Sequence, residues 1–341
     1  MTTAGDDGSS VATDAPLVGI GDVRAAADVL RGIAMRSPLV SIGRPEDRHL
    51  LKAESLQPIG AFKIRGAYNA IASLSVEERA RGIVTHSSGN HAQGVARAAR
   101  LLGARAVIVM PDDAPAVKVD RVRADGAEIV FVGPAASERL AMADRLVEAH
   151  GYTLVPPYDD DRVIAGQGTC GLEIAEDVPD LASVLVPIGG GGLASGVAVA
   201  VRALHPTARI IGVEPELAAD AQASLREDRI VSITAEDAGR TMADGVRTQA
   251  IGRRTFAHLR VLLDDIVTVS EAEIGAAVRL AAEESRLVVE PSGAVSIAAL
   301  RFRLREAGLA DAQGPVVAVV SGGNVDPERY RALLASPLPV G

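Results

Sequence analysis

The chain has 341 residues, with 35 Lys and Arg against 44 Asp and Glu, so its formal net charge at pH 7 is −9. Proteins that bind nucleic acids or anionic membranes usually carry a basic patch, and none stands out here, so we expect neither partner. Aromatic residues make up only 2% of the chain, which argues against stacking platforms for single-stranded nucleic acid. The single cysteine, Cys170, rules out an intrachain disulfide, and a cytoplasmic location is expected.

The apolar content predicts a large aliphatic core without a membrane span. Hydrophobic residues make up 48% of the chain, and the length is typical of roughly two domains. No apolar run reaches the roughly 18 residues that a membrane-spanning helix needs. Residues 1–16 are rich in Ser, Thr, Asp, Gly and Ala and lack a basic start, so they predict a disordered tail rather than a signal peptide.

Predicted strands and helices alternate from about residue 50 to the end. The predicted strands are 50–53, 83–85, 106–110, 128–132, 153–155, 184–188, 209–214, 266–269 and 316–320. The predicted helices are 23–32, 61–74, 93–102, 114–124, 137–149, 161–177, 193–204, 271–284, 292–306 and 327–335. Mostly apolar strands that alternate with helices are typical of an α/β fold with parallel sheets covered on both faces.

Two domains of unequal size are expected. Residues 83–157 contain four predicted strands with their helices and predict a small mobile domain inserted into the chain. Residues 17–82 and 158–341 then form one discontinuous, larger domain. Pro156 and Pro157 mark the place where the chain crosses back, because consecutive prolines are stiff and extended.

Four consecutive glycines occupy positions 189–192, between a predicted strand and a predicted helix. Glycine lets the backbone approach a ligand closely, and a helix N-terminus offers free N–H groups, so the loop predicts a phosphate site. A second interpretation stays open at this point. Gly189, Gly191 and Ala194 match the dinucleotide pattern G-x-G-x-x-A, and Glu214 stands where a ribose-binding acid would follow.

Lys63 lies at the start of an apolar, helix-like segment. Removing an ammonium group from water lowers its pKa and favours formation of a Schiff base with an aldehyde. The pattern around Lys63 alone does not separate such a lysine from one on the surface. Lys63 together with the glycine loop suggests pyridoxal phosphate as the ligand.

Polar residues follow two of the predicted strands and a short apolar run at 287–289. The stretch from Ser87 to His91 enters a helix, where polar side chains either cap the helix or form a nest for a carboxylate. Glu290 precedes another helix and either caps it or faces a ligand. Ser321 follows the strand 316–320, and α/β sheets bind ligands at the carboxyl ends of their strands.

Two acids, Glu214 and Asp220, flank a short segment after the predicted strand 209–214. Together with a backbone carbonyl between them they offer the hard oxygen ligands that Mg²⁺ or Ca²⁺ prefers. A solvated, acid-rich turn is the alternative, and the pattern alone leaves both open.

Taken in order, the segments around Lys63, Ser87–His91, the four glycines and Ser321 resemble the fold-type II pyridoxal-phosphate enzymes. The similarity is strongest to the family of threonine/serine dehydratases and serine racemases and runs from about Val23 to Asp326. It implies a fold like the tryptophan synthase β subunit, with two open, mostly parallel sheets flanked by helices. It also implies a homodimer that acts on a small amino-acid substrate.

The resemblance assigns the cofactor contacts. Lys63 corresponds to the Schiff-base lysine that later takes the substrate's Cα proton, and Phe62 to the residue that packs near the pyridine ring. Asn90 would bond the 3-hydroxyl oxygen of the cofactor, Ser321 would face the pyridine nitrogen, and Glu290 would lie beside the cofactor. The phosphate would be wrapped by Gly189, Gly190, Gly191, Gly192 and Leu193.

The resemblance also assigns a substrate loop and a metal site. The loop that receives the substrate carboxylate contains Ser87, Ser88, Asn90 and His91. In metal-activated members, the positions that match Glu214, the Ala218 carbonyl and Asp220 hold Mg²⁺ or Mn²⁺.

The activity implied by the resemblance is dehydration and deamination of L-threonine or L-serine, which gives 2-oxobutanoate or pyruvate and ammonia. Ser88 leaves a second activity open, because racemases of this family have a serine there that handles the proton on the opposite face. Ser88 is therefore a candidate catalytic residue beside Lys63. The sequence does not separate threonine, serine and 3-hydroxyaspartate as substrates.

Overall fold

The computed structural model describes residues 15–87, 89–114, 116–133 and 135–339. The strands are β1 (Leu39–Ser41), β2 (His49–Ala53), β3 (Ile83–His86), β4 (Ala106–Pro111), β5 (Glu128–Val132), β6 (Thr153–Leu154), β7 (Ser183–Pro187), β8 (Arg209–Pro215), β9 (Asp265–Val269) and β10 (Val316–Val320). The helices are α1 (Ile20–Val29), α2 (Lys63–Ala72), α3 (Val76–Arg81), α4 (Asn90–Leu101), α5 (Ala116–Ala124), α6 (Ala136–His150), α7 (Asp161–Asp177), α8 (Gly192–Leu204), α9 (Asp220–Glu227), α10 (Ala235–Gly239), α11 (Arg253–Leu262), α12 (Glu271–Ser285), α13 (Pro291–Phe302) and α14 (Pro327–Leu334). Short 3-10 helices span Pro45–Asp47 and Glu54–Leu56.

The larger sheet has the order β1-β2-β10-β7-β8-β9. Strand β1 is antiparallel to β2, and all other neighbours are parallel. Strands β7 and β10 lie side by side at its centre and are buried along their whole length. A fully apolar parallel strand must be covered on both faces, which is how the predicted α/β pattern is realised.

Alternate residues of β10 define the two faces of the larger sheet. Val316, Ala318 and Val320 pack with the apolar residues of α12 and α13, whereas Val317 and Val319 pack with those of α8. This follows from the two-residue repeat of a strand, which points successive side chains to opposite faces. Helices therefore cover both faces of the sheet, and a site is expected at the ends of its strands.

The smaller sheet has the order β5-β4-β3-β6 and is parallel throughout. Its strands all come from the interval 83–157 that the sequence predicts to be the small domain. The domain boundaries and the mobility of that interval stay predictions. The α/β fold with two mostly parallel sheets flanked by helices is confirmed.

The sequence predicts nine of these strands with ends within one residue, but it misses β1 and the helices α3, α9, α10 and α11. The predicted helix 292–306 is too long, because the chain leaves α13 at Phe302 and turns at Gly308, which has φ +66°. Helix α1 starts three residues earlier than predicted. The reason is a capping interaction, in which the Asp22 carboxylate accepts a hydrogen bond from the Gly19 N–H at 2.9 Å.

The predicted tail lies mostly outside the described residues, which begin at residue 15. Ala15 and Pro16, its last two residues, accept hydrogen bonds through their carbonyl oxygens from Arg254 at 3.2 and 2.7 Å. None of the helices in the described part of the chain is long and apolar enough to cross a membrane.

Candidate active site

Two of the predicted site segments lie at the carboxyl ends of β7 and β10. These strands are parallel neighbours, so the loops that follow them leave the sheet side by side. The glycine loop follows β7, and Ser321 follows β10. Ligands of open α/β sheets bind at the carboxyl ends of the strands, where the following helices begin.

The glycine loop presents a row of buried N–H groups without partners. Within the described residues, the backbone N–H groups of residues 189–194 donate no hydrogen bond, although this segment is almost entirely buried. A buried, unpaired N–H is costly, so such a row indicates that a ligand supplies the acceptors. Helix α8 begins here, and its positive dipole end favours an anion.

Glycine is required in this loop for both conformation and space. Gly191 has φ +92°, which side chains rarely adopt. A Cβ on Gly190 would overlap the ring of Tyr158, and one on Gly191 would lie 2.8 Å from Cβ of Thr255. The loop is therefore enclosed by the segment around Tyr158 on one side and by α11 on the other.

Lys63 is the first residue of α2 and differs from the other lysines of the chain. The sequence contains three lysines, and Lys52 and Lys118 form ion pairs with carboxylates at 2.6 and 2.9 Å. Lys63 has no carboxylate partner in the described residues. Its Nζ donates instead to the Pro157 carbonyl at 2.7 Å and lies 5.1 Å from the Phe62 ring centre. Burial lowers the pKa of Lys63 to about 8, which suits an amine that must react with an aldehyde.

A chain of short contacts joins Phe62, the residue before Lys63, to Ser321 and to the glycine loop. The Phe62 N–H donates to the Ser321 carbonyl at 3.1 Å, and the Ser321 hydroxyl donates to the Ser292 carbonyl at 3.3 Å. The Ser292 hydroxyl accepts from the Gly245 N–H at 2.7 Å. The next residue, Val246, packs against Gly189, so the three predicted parts of the site form one connected structure.

Asn90 and Glu290 lie 200 residues apart in the chain and contact each other through their side chains. Nδ2 of Asn90 donates to Oε1 of Glu290 at 2.7 Å, and Oδ1 of Asn90 accepts from Nδ2 of Asn324 at 2.8 Å. Burial, and to a lesser extent Asp244, raise the pKa of Glu290 to about 7. The contact places Asn90, at the start of α4, beside the loop that follows β10.

The predicted substrate loop lies between β3 and α4. Ser87 accepts a hydrogen bond at Oγ from the Gly89 N–H at 3.3 Å, and Ser88 lies outside the described residues. His91 is buried, and its Nε2 donates to the Val155 carbonyl at 3.0 Å, because a carbonyl can only accept. Burial, and to a lesser extent Lys63, lower the pKa of His91 to about 3, so the ring is neutral near pH 7.

Glu214 and Asp220 lie at the end of β8 and the start of α9. Glu214 is fully buried and accepts from the N–H groups of Ala221 and Gln222 at 2.9 and 2.8 Å. Both carboxylate oxygens of Asp220 are buried and form no hydrogen bond of normal geometry in the described residues. Burial raises the pKa of Asp220 to about 7, although the backbone N–H groups of Asp220 and Ile251 lie near enough to lower it slightly. Orphaned oxygens beside a second carboxylate fit a divalent cation, with Ala218 between them.

Those acids do not form a complete side-chain cage. The described residues contain no group of three or more His, Cys, Asp or Glu side chains that could hold a metal ion. A cation there would need backbone carbonyl oxygens and water as its other ligands. Because the Glu214 carboxylate faces the first turn of α9, it does not stand free for a ribose, as the dinucleotide interpretation requires.

Sequence reasoning missed the residues that enclose the glycine loop. Tyr158 and Asp159 follow the predicted crossing point, and Thr255 lies in α11. Asp159 accepts from the N–H groups of Arg254 and Thr255 at 2.8 and 3.3 Å and so caps α11 from a distant segment. Tyr158 and Asp159 directly follow the two prolines of that crossing point, but this position in the sequence did not show which loop they would touch.

Comparison with known proteins identifies the family. Residues 31–322 match the family of pyridoxal-phosphate dependent enzymes. The chain is 42% identical over 320 residues to the L-threo-3-hydroxyaspartate ammonia-lyase of Saccharomyces cerevisiae, covering 92% of this chain and 96% of the yeast protein. It is 46% identical over 277 residues to the L-threonine ammonia-lyase of Thermotoga maritima, covering 81% of this chain and 67% of that protein. The solved structure of maize serine racemase has a TM-score of 0.88 at 36% identity, covering 93% of this chain and 97% of the maize chain.

The chain therefore belongs to the pyridoxal-phosphate-dependent enzymes of fold type II, in the group that contains ammonia-lyases and racemases. The resemblance to this family is confirmed, and pyridoxal phosphate is the cofactor. Two observations of this structure show that the residues present can hold this cofactor. The glycine loop offers unpaired N–H groups to a phosphate, and Lys63 offers an amine of lowered pKa to an aldehyde.

Proposed function

We propose that this protein is an ammonia-lyase for β-hydroxy amino acids that converts L-threonine to 2-oxobutanoate and L-serine to pyruvate, with release of ammonia. One observation carries the proposal: a lysine of lowered pKa and the unpaired N–H groups of the glycine loop lie together at the carboxyl ends of the central strands. Similarity to ammonia-lyases that act on β-hydroxy amino acids supports the reaction.

The residues that would hold the cofactor follow from the site. The N–H groups of residues 189–194 would bind the phosphate, Asn90 would bond the ring's 3-hydroxyl oxygen, and Ser321 would face the ring nitrogen. When bound, pyridoxal phosphate supplies an aldehyde for amino groups and a conjugated ring that withdraws electrons from the substrate's Cα. Phe62 precedes Lys63 and would pack near that ring.

Lys63 acts as the general base at Cα. With a pKa of about 8, about half of the Nζ groups are unprotonated at pH 8, so the amine can accept a proton. The Pro157 carbonyl stabilises the protonated form through its 2.7 Å hydrogen bond. Lys63 thus takes the Cα proton and holds it at Nζ, close to an acceptor.

Ser321 and the substrate loop direct the reaction towards elimination. A neutral hydroxyl at Ser321 holds a proton on the ring nitrogen less firmly than a carboxylate would, which favours early loss of the β-hydroxyl group. Ser87, Ser88 and Asn90 would bind the α-carboxylate at the start of α4. The neutral His91 ring adds no positive charge beside Lys63.

A divalent cation, Mg²⁺ or Mn²⁺, is proposed at Glu214, the Ala218 carbonyl and Asp220. The buried, unpartnered oxygens of Asp220 support it. Asp220 lies near Tyr158, since its charge is the third cause, after burial and the charge of Asp159, of the raised pKa of the Tyr158 phenol. We therefore propose a structural role for the cation. The cation would thus stabilise the segment that encloses the glycine loop.

A second substrate is favoured by the comparisons. The hydroxyaspartate ammonia-lyase of Pseudomonas sp is 43% identical over 323 residues and matches 92% of this chain and 97% of its own length. L-threo-3-hydroxyaspartate is therefore the second candidate substrate. Serine racemisation through Ser88 stays a prediction, as does the homodimer.

Initial rates of 2-oxo acid formation test the proposal. The purified protein with added pyridoxal phosphate should release 2-oxo acid from L-threonine and L-serine, and the rate with L-threo-3-hydroxyaspartate ranks the second candidate. Borohydride reduction followed by peptide mass analysis should place the cofactor on Lys63. The variant Lys63→Ala should lose the reaction and the visible absorption band, whereas Lys118→Arg should keep both. Absence of 2-oxo acid from all three substrates would refute the proposal.

Chiral chromatography of L-serine incubations separates the racemase activity. Appearance of D-serine that Ser88→Ala reduces more strongly than pyruvate formation would support racemisation. Accumulation of pyruvate without D-serine would remove it.

A further inference from the structure

Thr255 holds the glycine loop from the side opposite to its free N–H groups. The Thr255 side chain is fully buried, and its Oγ1 lies 2.7 Å from the Gly190 carbonyl oxygen and 3.1 Å from the Gly252 carbonyl oxygen, so its single proton is donated mainly to the nearer oxygen, that of Gly190. The Gly252 N–H points to the same carbonyl oxygen at 3.4 Å. The Thr255 hydroxyl and the Gly252 N–H, both at the start of α11, therefore fix the direction of the Gly190 carbonyl group.

Fixing that carbonyl also fixes the next N–H group. The peptide unit between Gly190 and Gly191 is planar and trans, so its C=O and N–H point in opposite directions. With the oxygen bonded to Thr255, the N–H of Gly191 must point away from α11. That N–H belongs to the row of buried groups without a partner.

The position of Thr255 is itself fixed. Asp159 accepts from the N–H groups of Arg253, Arg254 and Thr255 at 3.1, 2.8 and 3.3 Å, which anchors the first turn of α11. Thr255 also packs directly on the loop, since a Cβ on Gly191 would meet its Cβ at 2.8 Å. Without side chains of their own, the glycines depend on such outside contacts to keep one conformation.

We propose that Thr255 is a positioning residue that aims the Gly191 N–H at the phosphate group of the cofactor. The inference rests on the proposed seat of the phosphate at the glycine loop. In this role Thr255 acts through the Gly190 peptide unit, to whose carbonyl it is hydrogen-bonded, rather than as a direct ligand of the phosphate. Its hydroxyl matters for ligands that carry a phosphate and for no others.

Three ligands of the apoprotein test this role: pyridoxal phosphate, pyridoxal and inorganic phosphate. Thr255→Val keeps the shape of the side chain but removes the donor, and Thr255→Ser keeps the donor. We expect Thr255→Val to weaken pyridoxal phosphate and inorganic phosphate by about tenfold, the usual effect of one hydrogen bond. Binding of pyridoxal should change less than twofold, and Thr255→Ser should bind all three as the wild type does.

A matched control separates this effect from the loss of any buried hydroxyl. Ser183 at the opposite end of β7 is fully buried and donates through Oγ to the Arg209 carbonyl at 2.9 Å. Ser183→Ala should leave all three dissociation constants unchanged. If Thr255→Val does not fold, Thr255→Ala removes the same hydroxyl without adding an apolar methyl group at the loop.

The outcomes are distinct. Equal weakening of pyridoxal and pyridoxal phosphate by Thr255→Val, or a Thr255→Ser variant that behaves like Thr255→Val, would overturn the positioning role. Unchanged phosphate affinity in Thr255→Val would do the same. If the wild type binds pyridoxal as tightly as pyridoxal phosphate and inorganic phosphate does not compete, the proposed phosphate seat itself fails.

Discussion

Replacement of Arg65 by methionine probes the buried charge cluster that anchors α2, the helix that begins with Lys63. Arg65 is 1% exposed and donates to Glu54 through Nε and Nη2, both at 2.8 Å. It also donates to Glu173 through Nη1 at 2.7 Å and Nη2 at 2.9 Å. Lys52 is the other cation of the cluster and pairs with Glu173 at 2.6 Å. Two buried cations thus balance two carboxylates.

The cost of Arg65→Met follows from this balance. The variant leaves two carboxylates with one cation, so one buried charge is uncompensated. Breaking a buried pair in this way costs about 3–5 kcal/mol of the free energy of unfolding. The melting temperature should fall by roughly 2 °C for each kcal/mol in a chain of this size. Urea and thermal unfolding of the apoprotein measure both quantities.

An exposed ion pair provides the control. Arg31 pairs with Asp28 at 2.5 Å, but their side chains are 79% and 73% exposed, so Arg31→Met should cost less than about 1 kcal/mol. Glu54→Gln in the Arg65→Met background should recover part of the loss, because it removes the unbalanced charge. An Arg65→Met variant no less stable than Arg31→Met would refute the reasoning.

Three further predictions follow from the same structure. Burial lowers the pKa of Lys63 from 10.5 to about 8, so between these values the unfolded chain holds a proton that the folded apoprotein has released. The Lys63 contribution to the free energy of unfolding therefore rises with pH across that window, and Lys63→Met should flatten this part of the pH profile; an unchanged slope would contradict the burial argument. If a cation binds at Glu214 and Asp220, a chelator should lower the melting temperature of the protein, added Mg²⁺ or Mn²⁺ should restore it, and Asp220→Asn should abolish the effect. A melting temperature unchanged by the chelator would contradict the cation site. Burial raises the pKa of the Cys170 thiol, so iodoacetamide should label it only after unfolding in urea, and rapid labelling of the native protein would show that solvent reaches it.

Local sequence patterns predicted most of the fold, because strand and helix signals lie within short windows. Nine strands were predicted within one residue at each end, since each is a short apolar run bounded by turn residues. Helix α11 shows where this fails. Its first turn is capped by Asp159, which lies 94 to 96 residues away in the chain, so no local cap marked its start.

The candidate site was predicted in its residue types but not in its contacts. The motifs around Lys63, Asn90 and the four glycines named the family. They did not show that Nζ of Lys63 donates to the Pro157 carbonyl, because 94 residues separate the two. Nor did they show that Thr255 holds the Gly190 carbonyl, 65 residues away.

The amino-acid sequence by itself determined nine of the strands, most of the long helices, the cofactor family and a set of candidate site residues, because each depends on short patterns of side chains. Only the tertiary structure decided which carbonyl accepts the hydrogen bond from Nζ of Lys63, which helix contacts the glycine loop and which buried carboxylate oxygens of the described residues form no hydrogen bond. Those features depend on distances between residues far apart in the chain. Such distances arise only when parallel strands bring their carboxyl ends together on one side of the sheet. Burial then removes the water that would otherwise form hydrogen bonds with every polar group.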